Sequence, residues 1–146
     1  MTRTIAAIAV GMFAVAAGGV IDRAAVAEAA AKDIMVGRYV VARVRVPAAG
    51  YSVEKRAEIV RGRVLTILSD ASLTPDTIAK AVTVRKSGTD RALYVGKNLF
   101  FTITPADAQA THATVDQLAK MWADNLRAAL PKTKPRPKPE SAAESQ

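Results

Sequence analysis

The sequence lacks cysteine altogether and is poor in aromatic residues, which make up 5% of its 146 residues. The absence of cysteine excludes disulfide bonds, thiolate metal sites, thiol catalysis and lipidation at cysteine. Half of the residues are hydrophobic, but many of these are alanine. We therefore expect one compact domain with a small aliphatic core and flanking tails.

Motifs that carry catalytic chemistry are also missing. The sequence has no G-x-S-x-G, H-E-x-x-H or glycine-rich phosphate loop. The only histidine, His112, falls in a predicted joint between two helices, and Asp107 stands three residues after Thr104, where helix capping accounts for it. We predict that the protein is not an enzyme and holds no metal or cofactor. An enzyme with His112 or Asp107 in a polar pocket is the option left open.

Acidic residues are scarce relative to basic ones, 13 against 21, so the formal net charge is +8. This balance favours contact with an anionic partner such as phospholipid head groups, an acidic envelope polymer, nucleic acid or an acidic protein. Charge alone does not select among these partners.

The N-terminus has the pattern of an export signal. Arg3 precedes an uncharged apolar run over residues 5–21, and Ala25 and Ala27 match the A-x-A pattern that signal peptidase requires. We predict a signal peptide over residues 1–27, cleaved after Ala27, and therefore a periplasmic or secreted protein.

Two alternatives to this cleavage stay open. Ala29 or Ala31 can serve as the cleavage site instead of Ala27. The apolar run is also close to the length that spans a bilayer. In that case an uncleaved helix would anchor the domain outside the inner membrane, as an accessory subunit of a channel or another envelope complex.

The hydrophobic pattern predicts an α+β domain, a two-layer sandwich with the order β-α-β-β-α. A small, mostly antiparallel sheet carries two main helices on one face. The strands place Val40 and Phe101 towards the core, and Val41 and Phe100 outward. The elements are strands over 38–46, 81–86, 91–95 and 99–104, and helices over 52–69, from 105 and over 114–130.

Helix starts are marked by N-capping residues. Ser52 and Thr104 precede two of the predicted helices, with Asp107 placed to complete the cap of Thr104. Thr114 and Gln117 form a T-x-x-Q capping box. Arg56 belongs to a run of charged residues on the first long helix, which we interpret as a solvated face.

The domain boundaries follow from composition. Residues 28–37 are a lead-in without an assigned element, and residues 38–130 form a single α+β domain. Pro131 ends the last helix, and residues 131–146 form a Pro/Lys-rich tail that cannot bury enough apolar surface to fold.

One segment resembles a nucleic-acid motif. Residues 93–99 are similar to the shorter ribonucleoprotein motif of RNA-recognition domains, and stacking aromatics among arginines suit single-stranded RNA. However, Lys97 separates Gly96 from Asn98 and places them in a turn, no second motif follows, and the export signal removes the protein from RNA. We therefore expect no nucleic-acid partner.

Three segments stand in a fixed order along the chain, and they are Ser52-x-x-Lys55-Arg56-Ala57, Thr102-Ile103-Thr104-x-x-Asp107-Ala108 and Leu118-Ala119-x-x-Trp122. Together they resemble the extracytoplasmic N-terminal domain of some bacterial, notably cyanobacterial, channels of the small-conductance mechanosensitive family. The resemblance covers about residues 38–130, and a Pro/Lys-rich tail follows it here in place of channel helices. It implies an envelope-facing accessory or sensing-type domain without conduction.

These observations predict an exported, non-enzymatic envelope protein. It would contact a partner protein or an anionic polymer or lipid surface of the envelope through its basic tail and a basic sheet face. The candidate contact residues are Arg43, Arg45, Arg85, Lys132, Lys134, Arg136 and Lys138.

Overall fold

The computed structural model describes residues 31–135, which form two antiparallel sheets and three helices. The predicted α+β class is confirmed. The strands lie in the sheets β1–β2 and β3–β4–β5. The elements are β1 (Lys32–Val36), β2 (Tyr39–Val44), α1 (Val53–Ser69), β3 (Val82–Ser87), β4 (Asp90–Val95), β5 (Asn98–Ile103), α2 (Pro105–Ala110) and α3 (Val115–Thr133).

Strand β1 lies in the segment that the sequence left as a lead-in. Gly37, with a φ of 60°, starts the turn that folds β1 back onto β2. Ile34 and Val36 are buried and Met35 is exposed. Because Met35 is itself apolar, the sequence shows no polar–apolar alternation that would indicate a strand here. Strand β2 pairs with β1 in a two-stranded sheet and has no ladder with β3, β4 or β5.

Helix α3 extends past Pro131, contrary to the prediction that this proline ends it. Proline removes one N–H from the last turn, but the turn keeps other bonds. Thr133 Oγ1 donates to Ala129 O, and Lys134 N donates to Leu130 O. The predicted signal peptide with Ala25 and Ala27, and the tail residues Arg136 and Lys138, lie outside the described residues.

The helices pack against the strands around one hydrophobic core. Helix α1 contacts β1 and β5, and α3 contacts β2, β3 and β4. Trp122 of α3 meets Phe101 of β5 edge-on, with ring centroids 4.9 Å apart. Between residues 31 and 135, no helix is both long and apolar enough to cross a bilayer.

The predicted N-caps are confirmed. Ser52 Oγ accepts from Lys55 N at the start of α1. Thr104 and Asp107 form a reciprocal capping box on α2, as Thr114 and Gln117 do on α3.

A β-bulge in β2 and another in β5 change which residues face the core. Val41 is an extra residue in β2 and Phe100 in β5, each without an opposite partner in the register. Both are fully buried, whereas Val40 is 48% exposed, so the predicted directions of Val40, Val41 and Phe100 are wrong. A strict alternation cannot anticipate a bulge because the extra residue shifts the phase of the strand.

Each bulge has its carbonyl bonded to a helix side chain. Asn125 Nδ2 of α3 donates to Val41 O at 3.1 Å. Arg63 Nη1 of α1 donates to Phe100 O at 3.3 Å. A bulged residue is left out of the strand ladder, so these side chains supply the hydrogen bonds that the neighbouring strand does not.

Candidate functional site

The most buried polar group of the domain is an ion pair between α1 and α2. Arg56 Nη1 and Nη2 donate to Asp107 Oδ1 and Oδ2, both at 2.8 Å, and the side chains are only 8% and 3% exposed. Arg56 also donates to Val46 O and Thr102 O. The guanidinium therefore joins the segment after β2, helix α1, strand β5 and the start of α2.

Asp107 is fully engaged by donors. Thr104 N and Thr104 Oγ1 each donate to its Oδ2 at 2.9 Å, in addition to the two bonds from Arg56. These four hydrogen bonds hold the carboxylate in a fixed position. The pair is therefore a structural connection.

The burial of Arg56 was missed by the sequence analysis, which placed it on a solvated helix face. The position of Arg56 relative to the apolar residues of α1 indicates that it is buried. Arg56 lies three residues after Val53 and four before Val60, and both of these are buried. Residues three and four apart share one helix face, so Arg56 lies within the apolar stripe of α1.

A cleft of about 150 Å³ opens between α1, β5 and the turn after β2. Ile59, Val60 and Phe101 contribute apolar surface to it, and Arg63 contributes a cation. Burial lowers the pKa of the Arg63 guanidinium. The cleft is large enough for one apolar side chain, and its lining includes the acidic Asp90 as well as Arg63.

The turn at the rim of this cleft is strained. Ala48 and Tyr51 exchange two backbone hydrogen bonds, which close a two-residue loop. Within it, Ala49 has a φ of 52° and Gly50 a φ of 79°. Positive φ at both positions is typical of a type I′ turn, where alanine is less favourable than asparagine or glycine.

The predicted basic face is divided between the two sheets. Arg43 on β2 bonds to both carboxylate oxygens of Asp33, at 2.6 and 3.1 Å, which lowers the pKa of Asp33. Arg45 is half-buried, and its Nε has no hydrogen-bond partner within residues 31–135. Arg85 lies on β3 in the other sheet, with its guanidinium 4.3 Å from the centroid of the Tyr94 ring.

The two described tail lysines contact the domain itself. Lys132 lies in the last turn of α3, with its Nζ 5.1 Å from the centroid of the Tyr39 ring. Lys134 Nζ donates to Leu68 O at 2.6 Å and to Asp70 O at 2.7 Å, at the C-terminal end of α1. Lys134 thus stabilises the negative end of the helix dipole.

Strand β3 is an exposed, basic edge strand that the sequence analysis did not single out. It pairs only with β4, and its residues from Thr83 to Ser87 are all exposed. Within residues 31–135, no carboxylate lies within ion-pair distance of Arg85 or Lys86. The segment from Ala81 to Thr89 contains no aspartate or glutamate.

His112 lies in the connection between α2 and α3, as predicted, where it is exposed and has a φ of 52°. Among residues 31–135, no group of three or more histidine and carboxylate side chains is arranged to hold a metal ion.

Comparison with known proteins identifies a family without a known activity. No curated protein and no solved structure matches this chain. A family model described as "Domain of unknown function (DUF8459)" matches residues 33–133, from the second residue of β1 to the last residue of α3. Because the match covers more than half of the chain, the protein belongs to this domain family of unknown function.

Proposed function

We propose that this protein is an exported, non-enzymatic binding domain of the cell envelope that recognises an anionic partner. The basic edge strand β3, which carries Arg85 and Lys86 on its two faces, makes the contact. The observation that carries the proposal is that these two cations lie on an exposed edge strand and form no ion pair within residues 31–135.

The charge of the folded domain supports this proposal. Residues 31–135 contain 17 lysines and arginines and nine aspartates and glutamates, so the whole excess of +8 lies in this part of the chain. Six of the nine carboxylates pair with seven basic side chains, and these carboxylates are Asp33, Glu54, Glu58, Asp107, Asp116 and Asp124. Ten cations and three carboxylates of residues 31–135 lie outside these ion pairs, so the domain keeps a positive charge that attracts anions.

The sheet carries the contact in this proposal, and the described end of the tail has a different role. Lys134 bonds to two backbone carbonyls of its own domain, and Lys132 lies over a tyrosine ring. Arg85 also lies over a tyrosine ring, but neither Arg85 nor Lys86 forms an ion pair within residues 31–135. The stacking of Arg85 on Tyr94 holds the guanidinium in one position while its N–H groups can still donate.

The export pattern of residues 1–27 and the resemblance to an extracytoplasmic channel domain favour a location in the envelope. The non-enzymatic part of the proposal is supported by the two residues that the sequence left open for chemistry. Asp107 is occupied by Arg56 and Thr104, and His112 is exposed on a connection.

Binding to two anionic probes tests the proposal. The protein starting at residue 28 is titrated with phosphatidylglycerol vesicles and with polyglutamate, at low and at high salt. We expect binding to at least one probe, weakened by salt because exposed charges are screened. Binding to vesicles alone indicates a lipid surface, and binding to polyglutamate alone indicates an acidic protein.

Matched variants locate the contact. The double substitution Arg85→Glu and Lys86→Glu should abolish most of the binding, whereas Lys55→Glu and Arg61→Glu on α1 change the net charge equally and should have little effect. A chain ending at Pro135 should bind like the full chain. Equal losses in the two double variants, or no binding by the wild type, would contradict the proposal.

A further inference from the structure

We propose that the free edge of β3 binds an acidic, extended segment of a partner protein, which adds to the sheet as a fourth strand. This inference rests on the proposed function and specifies the partner at the same surface. It is carried by the backbone of Val84 and Lys86 and by the charges of Arg85 and Lys86.

The hydrogen-bond register shows which backbone groups of β3 point away from the sheet. Gly96 N donates to Ala81 O, so residues 81, 83, 85 and 87 direct their backbone groups towards β4, because bonded positions alternate in an antiparallel pair. Val82, Val84 and Lys86 therefore direct theirs to the free edge. Arg127 Nη2 donates to Val82 O there, which agrees with this register.

Helices contact the other three edge strands, and helix side chains bond to some of their carbonyls. Along β5, Arg63 and Arg56 of α1 donate to Phe100 O and Thr102 O. Strand β1 packs against α1, and Asn125 of α3 donates to Val41 O of β2. At the edge of β3, Arg127 bonds to Val82 O, and no hydrogen bond within residues 31–135 occupies the outward N–H and C=O groups of Val84 and Lys86.

The positive charge of Arg85 and Lys86 indicates which kind of strand can pair with this edge. Exposed edge strands pair readily with another strand, and basic residues oppose pairing between copies of the same edge. A second copy would bring Arg85 and Lys86 towards an identical basic strand, whereas an acidic strand is attracted. The edge therefore favours an acidic partner over self-association.

The direction of each side chain predicts the order of residues in the partner. Lys86 and Val84 point to one face of the sheet and Arg85 to the other, because side chains alternate along a strand. Val84 is 39% exposed, so it offers an apolar contact. An antiparallel partner would therefore read acidic, acidic, apolar opposite Lys86, Arg85 and Val84 in that order.

Proline substitution separates strand addition from charge attraction. Val84→Pro removes an N–H that points away from β4, so it leaves the β3–β4 ladder intact and blocks only the free edge. Val84→Thr is the matched control, since it keeps the N–H. The probe is a fluorescent peptide with the core Thr-Glu-Glu-Val-Thr, measured against wild-type protein, with circular dichroism and thermal melting to show that each variant is folded.

We expect Val84→Pro to bind about tenfold more weakly than Val84→Thr, the ratio that corresponds to one lost backbone hydrogen bond. Lys86→Glu should also weaken binding. A peptide with lysines in place of the glutamates should not bind. Amide hydrogen exchange at Val84 and Lys86 should slow on binding of the acidic peptide, since their N–H groups become bonded.

The outcomes distinguish this inference from the proposed function. If Lys86→Glu weakens binding but Val84→Pro and Val84→Thr bind equally and exchange is unchanged, the basic surface binds anions without strand addition, and the inference is wrong. If polyglutamate, vesicles and the peptide all fail to bind the wild type, the proposed function fails as well. Should Val84→Pro be unfolded, exchange at the two amides in the wild type decides alone.

Discussion

Arg56 and Asp107, 51 residues apart in the sequence, meet through two parallel hydrogen bonds of 2.8 Å in the interior of the domain. The pair connects α1 to the capping box of α2. The Asp107 carboxylate thus caps the start of α2 and also neutralises the buried Arg56 guanidinium. Such a bidentate pair holds both side chains in one geometry.

Removal of one partner of this pair should destabilise the domain strongly. Arg56→Met leaves the Asp107 carboxylate buried without its cation, and breaking a buried pair in this way costs about 3–5 kcal/mol. Urea unfolding measures the loss. Lys55→Ala, which removes an exposed pair with Glu58, should change the free energy of unfolding by less than about 1 kcal/mol. A similar loss in both variants would show that the burial of Arg56 is unimportant.

Gly37 is required both by its left-handed backbone and by the close approach of Thr133. Comparison with Gly88, which has only the left-handed backbone, separates the two effects. A Cβ at Gly37 would lie 2.8 Å from Thr133 Oγ1, and φ is +60°; Gly88 has a φ of +58° with open space around it. Gly88→Ala should cost about 1–2 kcal/mol for the left-handed backbone alone. Gly37→Ala should cost about 1–3 kcal/mol more because of the crowding. Equal melting temperatures of the two variants would contradict this account.

Lys134 should contribute to folding and not only to charge. Its Nζ bonds to Leu68 O and Asp70 O at the end of α1, so Lys134→Met should lower the free energy of unfolding by about 1–2 kcal/mol. Lys80→Met, at an exposed lysine, is the control and should have little effect. Correspondingly, a chain ending at Pro135 should melt like the full chain, whereas a chain ending at Leu130 should melt earlier.

Asp70 should make the stability depend on pH in the acid range. Hydrogen bonds from Ser72 and Asn98 lower its pKa from 3.8 to about 2. Because the pKa is lower in the folded state, the stabilisation is complete above about pH 4 and is lost as the pH falls through about 2. Asp70→Asn should therefore flatten the melting temperature against pH in this window, and Asn98→Ala should flatten it partly. An unchanged slope in Asp70→Asn would contradict the assignment.

Local sequence determined the helix starts and the fold class. The capping contacts of Ser52, Thr104 and Thr114 span three residues, so the residue types at those spacings specify them before any tertiary contact forms. The apolar stripes of α1 and α3 are equally local, since three- and four-residue spacing places side chains on one helix face. The α+β class follows from the alternation of strand and helix patterns.

Only the tertiary structure determined the bulges, the long-range hydrogen bonds and the position of the free sheet edge. The bulges at Val41 and Phe100 appear only when a strand is set against its partner, because an extra residue is defined by what lies opposite it. Arg56 and Lys134 find their acceptors far away in the sequence, and β3 is an edge because it pairs with β4 alone. The candidate binding surface is a property of sheet order, and a period-two pattern contains no information about which strand lies last in a sheet.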